Sequence, residues 1–182
     1  LRDLHSFPTR RSSDLKPLSV VTGDIIAKNA YEWSKATESP LAQAAVRGAE
    51  KITVRPLLGH SGKAVKLPKG ASLSYDFYCD KSGDARFTIA AIPCFLNAVK
   101  DMRVSVSIDR GEPVICQLKE VYNSKDWQFD LWRGQTLKSF YVTLPGGSHN
   151  VTIKALDDNV MIDQWVLDYD VDREYYVFPV AK

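Results

Sequence analysis

From His149 to Asp170 the chain reads HNVTIKALDDNVMIDQWVLDYD, two alternating runs on either side of a polar turn. A strand sends successive side chains to opposite faces. Val151, Ile153 and Ala155 therefore share one face, and Asn150, Thr152 and Lys154 share the other. Leu156-Asp157-Asp158-Asn159 supplies the reversal, and Val160 to Leu167 is apolar on both faces. This pattern predicts an antiparallel hairpin whose second strand lies inside a sandwich.

The same alternation recurs upstream. Leu73, Tyr75, Phe77 and Cys79 interleave with Ser72, Ser74, Asp76 and Tyr78, and Phe87, Ile89 and Ala91 continue after a turn at Asp80–Asp84. Met102, Val104, Val106 and Ile108 alternate with Arg103, Ser105, Ser107 and Asp109. Asp109-Arg110-Gly111 then turns the chain into Val114–Leu118, and Phe140, Val142 and Leu144 resume the period. Shorter strands are predicted at Asp24–Lys28, at Lys51–Arg55, and around Ala64, Val65 and Leu67, between turns at Gly59–Gly62 and Pro68–Gly70.

One or two helical turns are predicted after Ser39, which can cap, and Pro40, which suits a first helical position. Residues 119–138 read as a long connection holding a turn of helix or a bulged strand. The tail, Arg173 to Lys182, carries Tyr175, Tyr176 and Phe178 and is expected to pack along an edge or against a neighbouring domain. Short strands broken by Gly, Pro and Asp turns make an all-β, two-sheet antiparallel sandwich.

The 182 residues suffice for one domain with a core. The charge of +2, from 24 basic and 22 acidic residues, leaves no footprint for nucleic acid. No apolar run reaches the roughly 20 residues of a membrane-spanning helix, so no membrane partner is expected. Cys79, Cys94 and Cys116 lack metal-type spacing and read as small core residues. The first fifteen residues, LRDLHSFPTRRSSDL, lack a period, and Ser6 to Leu15 read as a translated sequencing adapter. The expected division is an extension over 1–15 and the sandwich over 16–182, with further domains expected upstream.

Chemistry is sparse. A glycosidase needs two carboxylates across a scissile bond, and Asp157 with Asp158 or Asp168 with Asp170 lie in turns or at surface positions. His60 adjoins Ser61 in a Gly-rich turn, which makes no triad, and His149 is expected to hydrogen-bond within a turn. Neither a phosphate loop nor a metal cluster is present, and no cofactor is expected. Trp127, Phe129 and Trp132, beside Lys125, Asp126 and Arg133, form the strongest candidate sugar-binding set. Rings stack on sugar C–H faces, and the Arg133 fork matches a uronic acid carboxylate. Tyr31, Glu32 and Trp33 form a weaker set. The competing role for all these aromatics is to cap the sandwich or touch other domains. Trp165 is expected in the core or at a domain contact.

Three blocks carry a resemblance: Leu57–Phe77, LLGHSGKAVKLPKGASLSYDF; Arg103–Val114, RVSVSIDRGEPV; and Trp132-Arg133-Gly134-Gln135 before the closing strands. In this order and spacing they resemble the C-terminal sandwich domain of glycoside hydrolase family 115, the xylan α-glucuronidases. The resemblance implies a jelly-roll-like sandwich, similar to carbohydrate-binding modules. It implies a non-catalytic accessory domain that supports domain packing or dimerisation in a secreted or periplasmic enzyme of xylan degradation. Its partners would be the upstream catalytic domains, a second subunit, or xylan-type polysaccharide. The alternative is a module that grips glucuronoxylan directly through Trp127, Trp132 and Arg133. Related sandwiches hold calcium near an early Glu-Ala-Glu strand; here Ile26-Ala27-Lys28-Asn29 lacks the Glu, Asp163 reads as facing solvent or a turn, and no metal is expected.

Overall fold

The computed structural model describes residues 23–95, 100–175 and 178–179. The predicted extension over 1–15 lies outside them. The described residues form β1 (Ile25–Asn29), β2 (Lys35–Thr37), α1 (Pro40–Gln43), β3 (Thr53–Pro56), β4 (Lys63–Leu67), β5 (Ser72–Cys79) and β6 (Gly83–Ala91). They continue as β7 (Arg103–Ile108), β8 (Val114–Gln117), α2 (Lys125–Arg133), β9 (Thr136–Leu144), β10 (Gly147–Ala155) and β11 (Val160–Asp168).

Two antiparallel sheets face each other as a jelly-roll-like sandwich. Sheet A runs β3-β4-β11-β6-β9, and β1 pairs with the far half of β11, beside β4. Sheet B runs β2-β5-β10-β7-β8. Leu73, Tyr75 and Phe77 of β5 and Val151 and Ile153 of β10 bury one face of sheet B against Phe87, Ile89, Trp165 and Leu167 of sheet A. Trp165 is central: it meets Tyr75 and Phe77 edge-on at 5.6 and 5.5 Å and stacks on Phe87 at 5.4 Å.

The closing pair departs from the predicted hairpin. β10 pairs with β5 and β7, whereas β11 pairs with β1, β4 and β6 in the opposite sheet. Leu156–Asn159 is thus an arch between layers, with Asn159 at φ 64°. An arch turns the apolar faces of both strands toward each other across the core, where a hairpin would set them side by side. The β5–β6 connection crosses between sheets in the same way, while β7 and β8 form a true hairpin.

β11 is buried on both faces for two reasons. A register shift between Ile162 and Gln164 places Asp163 in a bulge, so Val160 and Ile162 and then Trp165 and Leu167 all reach the core. On the outer side Phe178 packs on Ala90 and Val166. The tail therefore covers the outer face of sheet A instead of following an edge. Tyr175 donates its hydroxyl to Asp168 at 2.5 Å, and the Arg86 guanidinium lies 5.3 Å from the Tyr175 ring centre.

Ser39 caps α1 by accepting from the Ala42 amide at 3.2 Å. Irregular residues 119–138 resolve into α2, capped by Ser124 and closed by Gly134 at φ 69°. β2 was not foreseen; it is three exposed residues held by β5. Cys79, Cys94 and Cys116 are all free thiols.

Candidate functional site

The predicted aromatic set sits on α2, but its members part company. At about 100° per residue, Trp127 and Trp132 project roughly 140° apart. Trp127 is half-buried and meets Phe95 and Tyr122 edge-on at 5.6 and 5.1 Å. Trp132 is 79% exposed and touches Phe129 edge-on at 5.8 Å. The two indoles share no flat platform. Arg133 is exposed at the helix end, and its carbonyl accepts from His60 Nε2 at 2.9 Å. Phe129 beside Trp132 is exposed as well, as are Leu131 on the same helix and Val121 and Tyr122 in the loop before it. The weaker set is structural. Tyr31 and Trp33 pack on the core, and Glu32 accepts from the Asn29 amide at 2.8 Å.

The carboxylates are committed to the scaffold. Arg103 holds Asp157 in a two-pronged pair at 2.7 and 3.0 Å. Asp168 is fully buried under Tyr175 and Arg173, and Asp158 accepts from the Lys69 amide. Asp130, buried beneath α2, is pushed above the usual carboxylate range by burial and by Glu120, although the Thr136 hydroxyl at 2.5 Å pulls the other way. Asp170 shares the Arg173 guanidinium with Asp168, at 3.5 and 3.3 Å.

Ser61, His60 and Asp163 come together, yet they are not wired as a triad. Asp163 is fully buried and takes the His60 amide at 2.8 Å, the Ser61 hydroxyl at 2.5 Å and the Gln135 amide at 2.7 Å. The His60 ring turns away to Arg133. Asp163 thus faces the Gly59–Gly62 turn, as the sequence allowed, but from the interior and not from solvent. Among the described residues no group of three or more metal-ligating side chains comes together.

The open surface is the outer face of sheet B. A shallow hollow of about 640 Å³ is lined by Ser34, Lys35, Ser74, Asp76, Asp109, Arg110, Asn150 and Thr152. An adjoining hollow of about 540 Å³ runs past Tyr78 and Ser148. Register sets the rows: Lys35 lies opposite Ser74, Ser74 opposite Thr152, Asp76 opposite Asn150 and Tyr78 opposite Ser148. The floor is cross-linked. Ser74 and Thr152 hydroxyls meet at 2.8 Å, Asn150 donates to Asp76 at 2.7 Å, and Asp109 accepts the Asn150 amide at 2.9 Å. His149 is clamped beneath, with Nδ1 2.6 Å from Asp109 and Nε2 2.8 Å from the Pro145 carbonyl. Sequence reading passed over this face. Its one signal was Tyr78, an aromatic residue on the polar side of an alternating strand.

The family model of the glycosyl hydrolase family 115 C-terminal domain matches residues 24–181. The chain belongs to this family. As a family 115 C-terminal domain it is a non-catalytic accessory domain, in keeping with the committed carboxylates. A solved structure of BtGH115A, a family GH115 4-O-methyl-α-glucuronidase with specificity for decorated arabinogalactans, is 26% identical with TM-score 0.58. The match covers 75% of this chain and 17% of that one, so the family 115 domain spans about a sixth of that relative. The C-terminal CBM6 of the LamC laminarinase from Zobellia galactanivorans is 16% identical with TM-score 0.51, covering 79% of this chain and 98% of that one. A family 35 carbohydrate-binding module from Clostridium thermocellum is 15% identical with TM-score 0.54, over the same shares of the two chains. These two establish the shared sandwich. Among curated proteins no sequence matches the family 115 domain.

Proposed function

We propose that this domain is the packing element of a larger secreted or periplasmic α-glucuronidase acting on xylan, and that α2 and the loop before it seat on the enzyme's other domains. The observation that carries this reading is the pair of exposed, touching rings Phe129 and Trp132 on α2, the apolar ridge of the helix. Large apolar rings exposed side by side on a polar surface point to an interface. Covering a ring the size of Phe129 contributes about 1.5–3 kcal/mol. The occupant is a neighbouring domain because the family relative carries most of its length outside the matched region.

Hydroxyl-radical footprinting of this chain alone and of the longer reading frame that contains it tests the proposal. Trp132 and Phe129 are expected to label strongly alone and weakly in the longer protein. Equal labelling in both overturns domain packing. Protection in the isolated chain that grows with concentration transfers the ridge to a second subunit. Release of glucuronic acid by the longer protein from glucuronoxylan supports the xylan assignment, and release from decorated arabinogalactan alone ends it.

A further inference from the structure

We propose that the outer face of sheet B is a binding groove for an acidic saccharide, with Tyr78 as the stacking ring and Lys35 and Arg110 as the cations that meet the sugar carboxylate. The groove is separate from the α2 ridge, so this inference does not rest on the packing role.

The unpartnered groups of the groove decide the ligand class. Its acids are already engaged: Asp76 accepts from Asn150, and Asp109 accepts from the Asn150 amide and contacts the His149 ring. Its cations are not. Among the described residues neither Lys35 nor Arg110 has an ion-pair or side-chain hydrogen-bond partner, and both are exposed in the same hollow. The hollow thus holds two cations and two carboxylates; the carboxylates accept from the protein's own donors, so the groups left for a ligand are the cations, and a guanidinium fork suits a carboxylate.

The turn between β7 and β8 places Arg110. Asp109 and Arg110 both occupy the left-handed region, at φ 51° and 62°. With the Gly111 amide donating to the Ile108 carbonyl at 2.8 Å, these two residues form the primed turn that joins β7 to β8. Here Asp109 is held by Asn150 and His149, and the result sets Arg110 at the groove margin.

The floor suits a sugar. Ser74, Thr152 and Asn150 form a cross-strand ladder of hydroxyl and amide groups, and Thr152 also donates to Asn150 at 3.2 Å. Hydroxyl oxygens accept more than one hydrogen bond, so the ladder keeps capacity for sugar hydroxyls. Tyr78 lines the adjoining hollow and is 63% exposed, an aromatic ring within reach of water where a sugar C–H face could stack. No described residue of the tail packs over this face, in contrast to Phe178 on the outer face of sheet A.

The test titrates the whole chain with a xylo-oligosaccharide bearing one glucuronic acid, followed by backbone NMR shifts and calorimetry. Shifts are expected at Lys35, Ser74–Tyr78, Arg110 and Asn150–Thr152, and not along α2. Reducing the uronic carboxylate to an alcohol is expected to weaken binding about tenfold, as loss of a charge-assisted hydrogen bond does. Lys35→Ala and Arg110→Ala should each weaken the acidic sugar and leave the reduced sugar unchanged, while Tyr78→Ala should weaken both. Shifts confined to α2, equal affinity for acidic and reduced sugars, absence of binding, or tighter binding of single-stranded nucleic acid would each overturn the proposal. The wild-type shift map needs no variant to fold.

Discussion

A Cβ added to Gly59 would stand 2.3 Å from Oδ1 of Asp163, so the turn and the buried carboxylate fit only because residue 59 has no side chain. Gly59 also sits at φ 77°. The left-handed backbone alone costs about 1–2 kcal/mol for other residues. Asp163 cannot retreat, because the turn and Gln135 hold it. Gly59→Ala is expected to lose on the order of 3 kcal/mol in urea unfolding. A loss under about 0.5 kcal/mol, the range of a neutral surface change, would refute this contact.

Asp163→Ala removes the acceptor for the His60 amide, the Ser61 amide and the Gln135 side chain. Gln135 is fully buried and cannot turn to water. An orphaned buried donor costs about 1–3 kcal/mol, and the variant is expected to lose at least that much. The two changes should couple. In the Asp163→Ala background the clash with Gly59→Ala disappears, so the double variant should be at least about 1 kcal/mol more stable than the sum. Strict additivity in the double-mutant cycle would show that the atoms do not meet.

Why some of this was legible and some not follows from what period two encodes. It states which face of a strand is apolar, and for β5, β7 and β10 that face is the core because sheet B leaves its other side wet. It does not state which sheet a strand joins. Val151 and Val160 reach the core by an arch as readily as by a hairpin, so alternation alone does not distinguish the predicted β10–β11 hairpin from the arch the structure makes. The Asp163 bulge leaves no trace in composition. α2 was only half legible because its aromatics Phe129 and Trp132 face solvent and its most buried residue is Asp130, the reverse of an ordinary amphipathic pattern. Lys35 and Arg110 lie far apart in the chain, and only strand register sets them in one hollow.

The clamp on His149 makes stability depend on pH. Burial would lower the imidazole's affinity for protons, but the Asp109 hydrogen bond, the Pro145 carbonyl and the Asp109 charge outweigh it and hold the group above its ordinary value. Burial likewise favours the neutral Asp109 carboxyl, and the bonds from His149 and the Asn150 amide override it, leaving the group below its ordinary value. The raised imidazole stabilises the fold fully below the ordinary histidine value of about 6.5, and this contribution fades as pH rises through the higher folded value. The depressed carboxyl contributes above the ordinary value of about 3.9 and fades as pH falls through its lower folded value. The pair is thus strongest between these limits. Urea midpoints should fall as pH rises from about 6 toward 9, and His149→Gln should flatten that slope. A wild-type midpoint that is level across this range would remove the clamp.

Trp127 and Trp132, neighbours on one short helix, should behave oppositely in the isolated domain. Trp127 packs edge-on against Phe95 and Tyr122 on the inner side of α2. Truncating such a ring loses burial and aromatic contact together, and Trp127→Ala is expected to destabilise the chain by about 1–3 kcal/mol. Trp132 keeps most of its surface in water, and Trp132→Ser should change stability by less than about 0.5 kcal/mol. The same substitution removes the largest ring from the apolar ridge and should raise solubility. Thermal unfolding of both variants by near-ultraviolet dichroism distinguishes the two environments. Equal loss for both would place Trp132 inside the fold and deprive the ridge of its central ring.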